Sequence, residues 1–157
     1  MLRKAGKNFA ALAFIFSFSV VAASAGDGNG VVKVRSAYSV EETVVRVKQD
    51  VAAKGIPFFA EIDQSGLANA AGIALQPSRL LIFGNPPLGA QFLTSNPNAG
   101  LDWPVRLLVR QDADGSVVVA YSDFAWIADR YGIRDRQEQF ETAASVISSV
   151  TSSVTSK

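Results

Sequence analysis

Not one of the 157 residues is a cysteine or a histidine. No disulfide, Cys or His zinc site, or haem held by either residue can brace the chain, so packing alone must hold its fold. The same two zeros close Ser-His-Asp triads, cysteine nucleophiles and thiol redox pairs. Any catalysis is left to Asp, Glu, Lys, Tyr, Ser or Arg.

The N-terminus reads as an export signal. Arg3, Lys4 and Lys7 give a positive start, Phe9 to Val21 is an almost unbroken apolar run of about 13 residues, and Ala23-Ser24-Ala25 is a small-x-small cleavage site. That run is short of the about 20 residues a bilayer span needs. No cysteine follows for a lipid anchor, and Arg3-Lys4 is not a twin-arginine pair. The expectation is cleavage near Ala25 and a periplasmic or extracellular product of 132 residues, enough for one domain. Removing Arg3, Lys4 and Lys7 leaves 12 cationic against 14 acidic residues, a net charge near −2. Neither nucleic acid nor stable membrane insertion is expected for such a product.

Residues 26–30, Gly-Asp-Gly-Asn-Gly, read as a flexible lead. Val31 to Ala37 alternates as a strand does. Ser39 and Glu42 have capping-box spacing, and Val40, Val44, Val47 and Val51 make an apolar helical stripe that Gly55 ends. Pro57 to Asp63 returns to period two, with Phe58, Ala60 and Ile62 on one face and Phe59, Glu61 and Asp63 on the other. A short helix from Ser65 to Ala71, a strand from Arg79 to Gly84 and a helix from Pro87 to Leu93 follow.

Two β-rich runs, 104–110 and 116–122, flank Asp112-Ala113-Asp114-Gly115, which predicts a hairpin. The loop lacks the further oxygen ligands of a calcium site. Phe124, Ile127, Ala128 and Tyr131 share a helical face, and Asp135 with Glu138 offers a cap for a C-terminal helix whose apolar stripe is Phe140, Ala144, Ile147 and then Val150 or Val154. The Ser/Thr-rich residues 151–157 are expected to fray. Strand, helix, four strands and helices, without repeats, make an α+β domain over 31–150, an antiparallel sheet covered by helices on one face.

Three blocks carry a resemblance: Phe59-Ala60-Glu61-Ile62-Asp63; Leu81-Ile82-Phe83-Gly84-Asn85-Pro86; and Leu101-Asp102-Trp103-Pro104 with Leu107-Leu108-Val109 and Asp114-Gly115 after it. Their order and spacing resemble the domain of unknown function 302 family from about Val31 to Ile133. The resemblance implies a β-α-β-β-β-β-α sandwich of the TATA-binding-protein-like class, often found as a dimer, with no settled activity. The family pattern commonly reads Ile-Asp-His where this chain has Ile62-Asp63-Gln64. Gln64 keeps hydrogen bonding but not proton transfer. Trp103 stands where the family usually has an aliphatic residue, and either lines a pocket or fills space.

The candidate ligand-binding residues are Glu61, Asp63, Gln64, Asn85 and Asp102, at strand ends that loops would draw around one cleft, and Arg106, which shares a strand face with Arg110. Paired carboxylates would share a proton or hold a hard cation. Against that, Asp63 is equally suited to cap the short helix, Asn85 and Asp102 to fix turns before Pro86 and Pro104, and the arginines to pair with neighbouring acids. No nucleophile and base pair is legible, so no catalytic residue, metal or cofactor is assigned. The expected role is noncovalent binding of a small molecule or a protein. The alternatives are a metal-independent hydrolase or lyase using Glu61, Asp63 or Asp102 as acid or base, and a structural, envelope-associated homodimer.

Overall fold

The computed structural model describes residues 28–155; the expected export signal lies outside them. Five strands form one antiparallel sheet: β1 (Val31–Ser36), β2 (Phe58–Asp63), β3 (Ser78–Phe83), β4 (Val105–Gln111) and β5 (Val117–Ser122). Their spatial order is β1-β5-β4-β3-β2. The helices are α1 (Val40–Ala53), α2 (Gln64–Ala70), α3 (Pro86–Ser95), α4 (Phe124–Arg130) and α5 (Gln137–Ser152), with a 3-10 turn at Pro97–Leu101. This is the α+β architecture expected from the alternation of periods two and 3.6.

The core lies between one sheet face and the long helices. Leu81, Leu107, Val109 and Val119 are fully buried there, as are Val47 and Val51 of α1 and Val150 of α5. Each such side chain contributes about 1.5–3 kcal/mol by leaving water. Phe92 of α3 and Phe140 of α5 stack with centroids 4.1 Å apart. The turn at Asp112–Gly115 closes the β4-β5 hairpin, with Gly115 at φ 82° donating to the Asp112 carbonyl at 2.9 Å.

Caps follow the sequence only in part. Ser39 accepts from the Glu42 amide at 3.2 Å, but the Glu42 carboxylate turns outward to Arg46 at 3.0 Å, so half of the capping box forms. Asp135 does not cap α5. It accepts from Ser95 Oγ at 2.5 Å and pairs with Arg136 at 2.7 Å, and the N-cap position falls to Arg136 without a side-chain bond.

Residues at both ends expected to be loose are packed. Gly30 is buried at φ 76°, its carbonyl accepts from the Asp123 amide at 2.8 Å, and a Cβ there would overlap the Trp126 ring. At the other end, Thr151 and Val154 are 3% and 0% exposed, and the Ala37 amide donates to the Val154 carbonyl at 2.9 Å. Serine and threonine suggested fraying, but the apolar phase of Ile147, Val150 and Val154 carries that segment into the core.

One strand also departs from simple alternation. Phe58 pairs with Phe83, yet Ala60 pairs with Ile82, so β2 holds one extra residue at Phe59. This bulge turns Phe58 onto the helix-covered face together with Glu61 and Asp63, while Ala60 and Ile62 stay on the other. Period two cannot reveal such an insertion.

Candidate functional site

The six predicted residues fall at opposite ends of the sheet. Glu61, Asp63 and Gln64 stand where β2 ends and β3 begins. Glu61 accepts from Lys48 Nζ at 2.9 Å and lies 3.8 Å from Arg79 Nε. Asp63 caps α2, accepting from the Gly66 amide at 2.7 Å and Ser65 Oγ at 2.9 Å, and pairs with Arg79. The Gly66 amide, then the Ser65 hydroxyl, hold its carboxyl below the ordinary aspartate range. That is the reverse of what a general acid requires. Gln64 Oε1 accepts from Ser78 Oγ at 2.8 Å.

Asn85 and Asp102 lie past the other end of β3 and Arg106 sits beside that end, opposite Ile82, since Arg79 pairs with Asp63 and Phe83 with Val105. Six residues separate Arg79 from Asn85, roughly 20 Å of extended chain. Loops therefore do not gather the six around one cleft.

Asp102 is the centre of its own cluster. Its side chain, 6% exposed, accepts from Arg106 at 2.9 Å, Arg130 at 3.0 Å and Tyr131 Oη at 2.5 Å. The hydrogen bond to Asp102, followed by burial, raises the Tyr131 pKa. Arg130 also covers the Trp126 and Tyr131 rings, 5.2 Å from each centroid. Two arginines sharing one buried carboxylate tie the 3-10 turn, β4 and α4 together. Among the described residues, no group of three Asp or Glu side chains is placed to hold a metal ion.

Asn85 belongs to a different feature, a cleft of about 440 Å³ between α3, α5 and the end of β3. Phe83, Phe92, Val105 and Ile147 make its lining apolar, and Lys54, Asn85, Thr142, Ser145 and Ser149 supply polar groups. Trp103 forms one wall. Gly84 and Gly89 leave room for it: a Cβ on Gly84 would lie 3.2 Å from the indole Nε1, and one on Gly89 would overlap the ring. The Trp103–Pro104 peptide is cis.

Several polar groups of this cleft are already committed. Asn85 Oδ1 accepts from the Leu88 amide at 3.2 Å, Thr142 donates to the Glu138 carbonyl at 2.8 Å, and Lys54 reaches Asp50 at 2.6 Å. Pro86 and Pro87 occupy the first turn of α3, which removes two amides that would otherwise face an anion. Trp103 Nε1 and the Ser145 and Ser149 hydroxyls form no hydrogen bond within the described residues. Sequence reasoning named Asn85 and weighed Trp103 as a pocket residue, but it missed Ser145, Ser149 and Lys54. Their only signal was their place on helices already expected.

Residues 32–150 match the family described as "Domain of unknown function DUF302". The chain belongs to the DUF302 family. A crystal structure of an uncharacterized conserved DUF302 protein from Bacillus stearothermophilus shares the fold, with a TM-score of 0.73 at 16% identity over 80% of this chain and 98% of that one. Over 105 residues the chain is 37% identical to the fluoride-specific ion channel FluC 1 of Brucella suis biovar 1 (strain 1330), a match covering 67% of this chain and 41% of that protein. FluC 1 of Brucella abortus biovar 1 (strain 9-941) matches at the same identity over 39% of its length. The DUF302 chain thus spans about two-fifths of these relatives. Among its described residues no helix is long and apolar enough to cross a membrane.

Proposed function

We propose that this DUF302 domain is a noncovalent binding module whose ligand is a small, largely apolar molecule with a carbonyl or carboxylate end, held in the Trp103 cleft. The observation that carries the reading is the set of three unengaged donors, Trp103 Nε1 and the Ser145 and Ser149 hydroxyls, on a mainly apolar cleft whose other polar side chains, Lys54, Asn85 and Thr142, are already paired. A cavity of about 440 Å³ with few polar groups is typical of small-molecule sites. Lys54 adds a positive charge at its margin.

The test is native mass spectrometry of the freshly purified chain, followed by a thermal-shift panel of aromatic and aliphatic carboxylates and amides. A ligand at 100 times its Kd stabilises by about 2.7 kcal/mol, and Trp103→Leu should remove most of that shift. Absence of any copurified mass together with a flat panel sinks the reading.

The relatives named as fluoride-specific ion channels favour a second reading, in which the module serves beside a membrane protein instead of holding a metabolite. An apolar cleft suits a strongly hydrated fluoride ion poorly, so this reading assigns the domain a protein contact and not ion carriage. Sodium fluoride belongs in the same panel: a shift abolished by Trp103→Leu would overturn that assignment.

A further inference from the structure

The sheet face opposite the helices has an organised surface of its own. Strand register arranges it in three rows across the strands. The middle row is Lys33, Ala120, Leu108, Leu80 and Ile62; one flank has Arg106 between Ser122 and Ile82, and the other has Arg35, Val118 and Arg110. Leu80, Ile82, Leu108, Val118 and Ile62 are only partly buried, whereas Leu81, Leu107, Val109 and Val119 on the reverse face are 0% exposed. All four charged side chains in these rows, Lys33, Arg35, Arg106 and Arg110, are cationic. Acids that face them, Asp102 beside Arg106, Asp112 beside Arg110 and Asp114 near Arg35, lie off the strands, and Asp102 is shared with Arg130.

We infer that this face docks an amphipathic helix of another polypeptide, apolar along one side and acidic along both flanks. Ala120, Leu108, Leu80 and Ile62 span four adjacent strands, about 14 Å at the usual strand spacing. A helix of about 10 residues has that length. Lying across the strands over that row, it would set its acidic flanks against Arg106 on one side and Arg35 and Arg110 on the other. Helix-in-groove recognition uses the same division between apolar anchors and flanking charge.

Charge argues against a second copy as the occupant, because a two-fold axis through this face would oppose like cations. A lipid surface is disfavoured as well. No aromatic side chain stands in the three rows, and none of their aliphatic side chains is fully exposed for insertion. The face is separate from the Trp103 cleft, so the inference does not rest on that reading.

The test uses a fluorescein-labelled 14-residue peptide with Leu and Ala on one helical side and Glu on both flanks, its Glu→Lys counterpart, and the purified chain, read by anisotropy. The acidic peptide should bind, the basic one at least 10-fold more weakly. Leu108→Gln and Arg35→Glu should each weaken the acidic peptide about 10-fold, while Trp103→Leu leaves it unchanged. If Leu108→Gln fails to fold, Arg35→Glu on the edge strand decides. Equal affinity for the two peptides, no binding at 1 mM, or indifference to Arg35→Glu overturns the inference. So does sedimentation as a dimer that Leu108→Gln dissolves, or binding to phosphatidylserine vesicles that competes with the peptide.

Discussion

Gly89→Ala tests how the Trp103 wall is built. A Cβ on Gly89 would overlap the indole, so the ring has to retreat by roughly 2 Å to restore ordinary carbon contacts. Two opposing terms set the outcome. Overpacking costs about 1–3 kcal/mol, while replacing glycine inside a helix returns up to about 1 kcal/mol. A net loss of about 1 kcal/mol is expected, equivalent to a fall in Tm of roughly 4 °C for a domain of this size. The decisive assay is a double-mutant cycle by urea denaturation with Trp103→Leu, which removes the obstructing ring. In that background Gly89→Ala should become neutral or stabilising, giving a coupling of about 1–2 kcal/mol. Gly100→Ala is the control, because its Cβ meets nothing closer than Leu93 at 3.8 Å. A coupling below about 0.3 kcal/mol would refute the claim that Gly89 exists to seat the indole.

Asp102→Asn leaves Arg106 and Arg130 without their shared carboxylate; since both arginines are nearly half exposed, the loss should be about 1–2 kcal/mol by denaturation and not the larger cost of a buried charge. The acid limb of the stability curve should steepen through Asp63, Asp114 and Asp135, whose carboxyls hydrogen bonds hold below the ordinary 3.8. A folded pKa below the unfolded one means stabilisation that is complete above about pH 4 and lost as pH falls through the folded values. Asp63→Asn should flatten part of that limb in Tm measurements from pH 5 to 2, since asparagine still caps but does not titrate there; superimposable limbs would show that Asp63 carries none of it.

Much of the fold was legible because its elements announce themselves locally. The valine stripe from Val40 to Val51 and the Asp-Gly turn at 114–115 need no tertiary information. What was not legible depended on pairing. The extra residue at Phe59 shows only against β3, Asp135 was drawn from its cap by Ser95, and Val154 is buried because β1 leaves a place for it. The candidate site followed the same division. Asp63 and Asn85 could be recognised as polar residues ahead of helices, and both serve as caps. Which strand end each occupies is set by register, and that placed them far apart. Trp103 shows its wall role only beside two glycines distant in sequence.

The closure of Ala37 against Val154 sets where the two described ends of the domain stand relative to its border strand. Gly30 adjoins Asp123 at the first end of β1, and Val154 is fastened just beyond its last residue. Chain therefore enters and leaves at opposite tips of one border strand, roughly 20 Å apart. The first and last described turns of the chain are thereby held apart on different sides of the domain, and the border strand acts as the strut that fixes their separation.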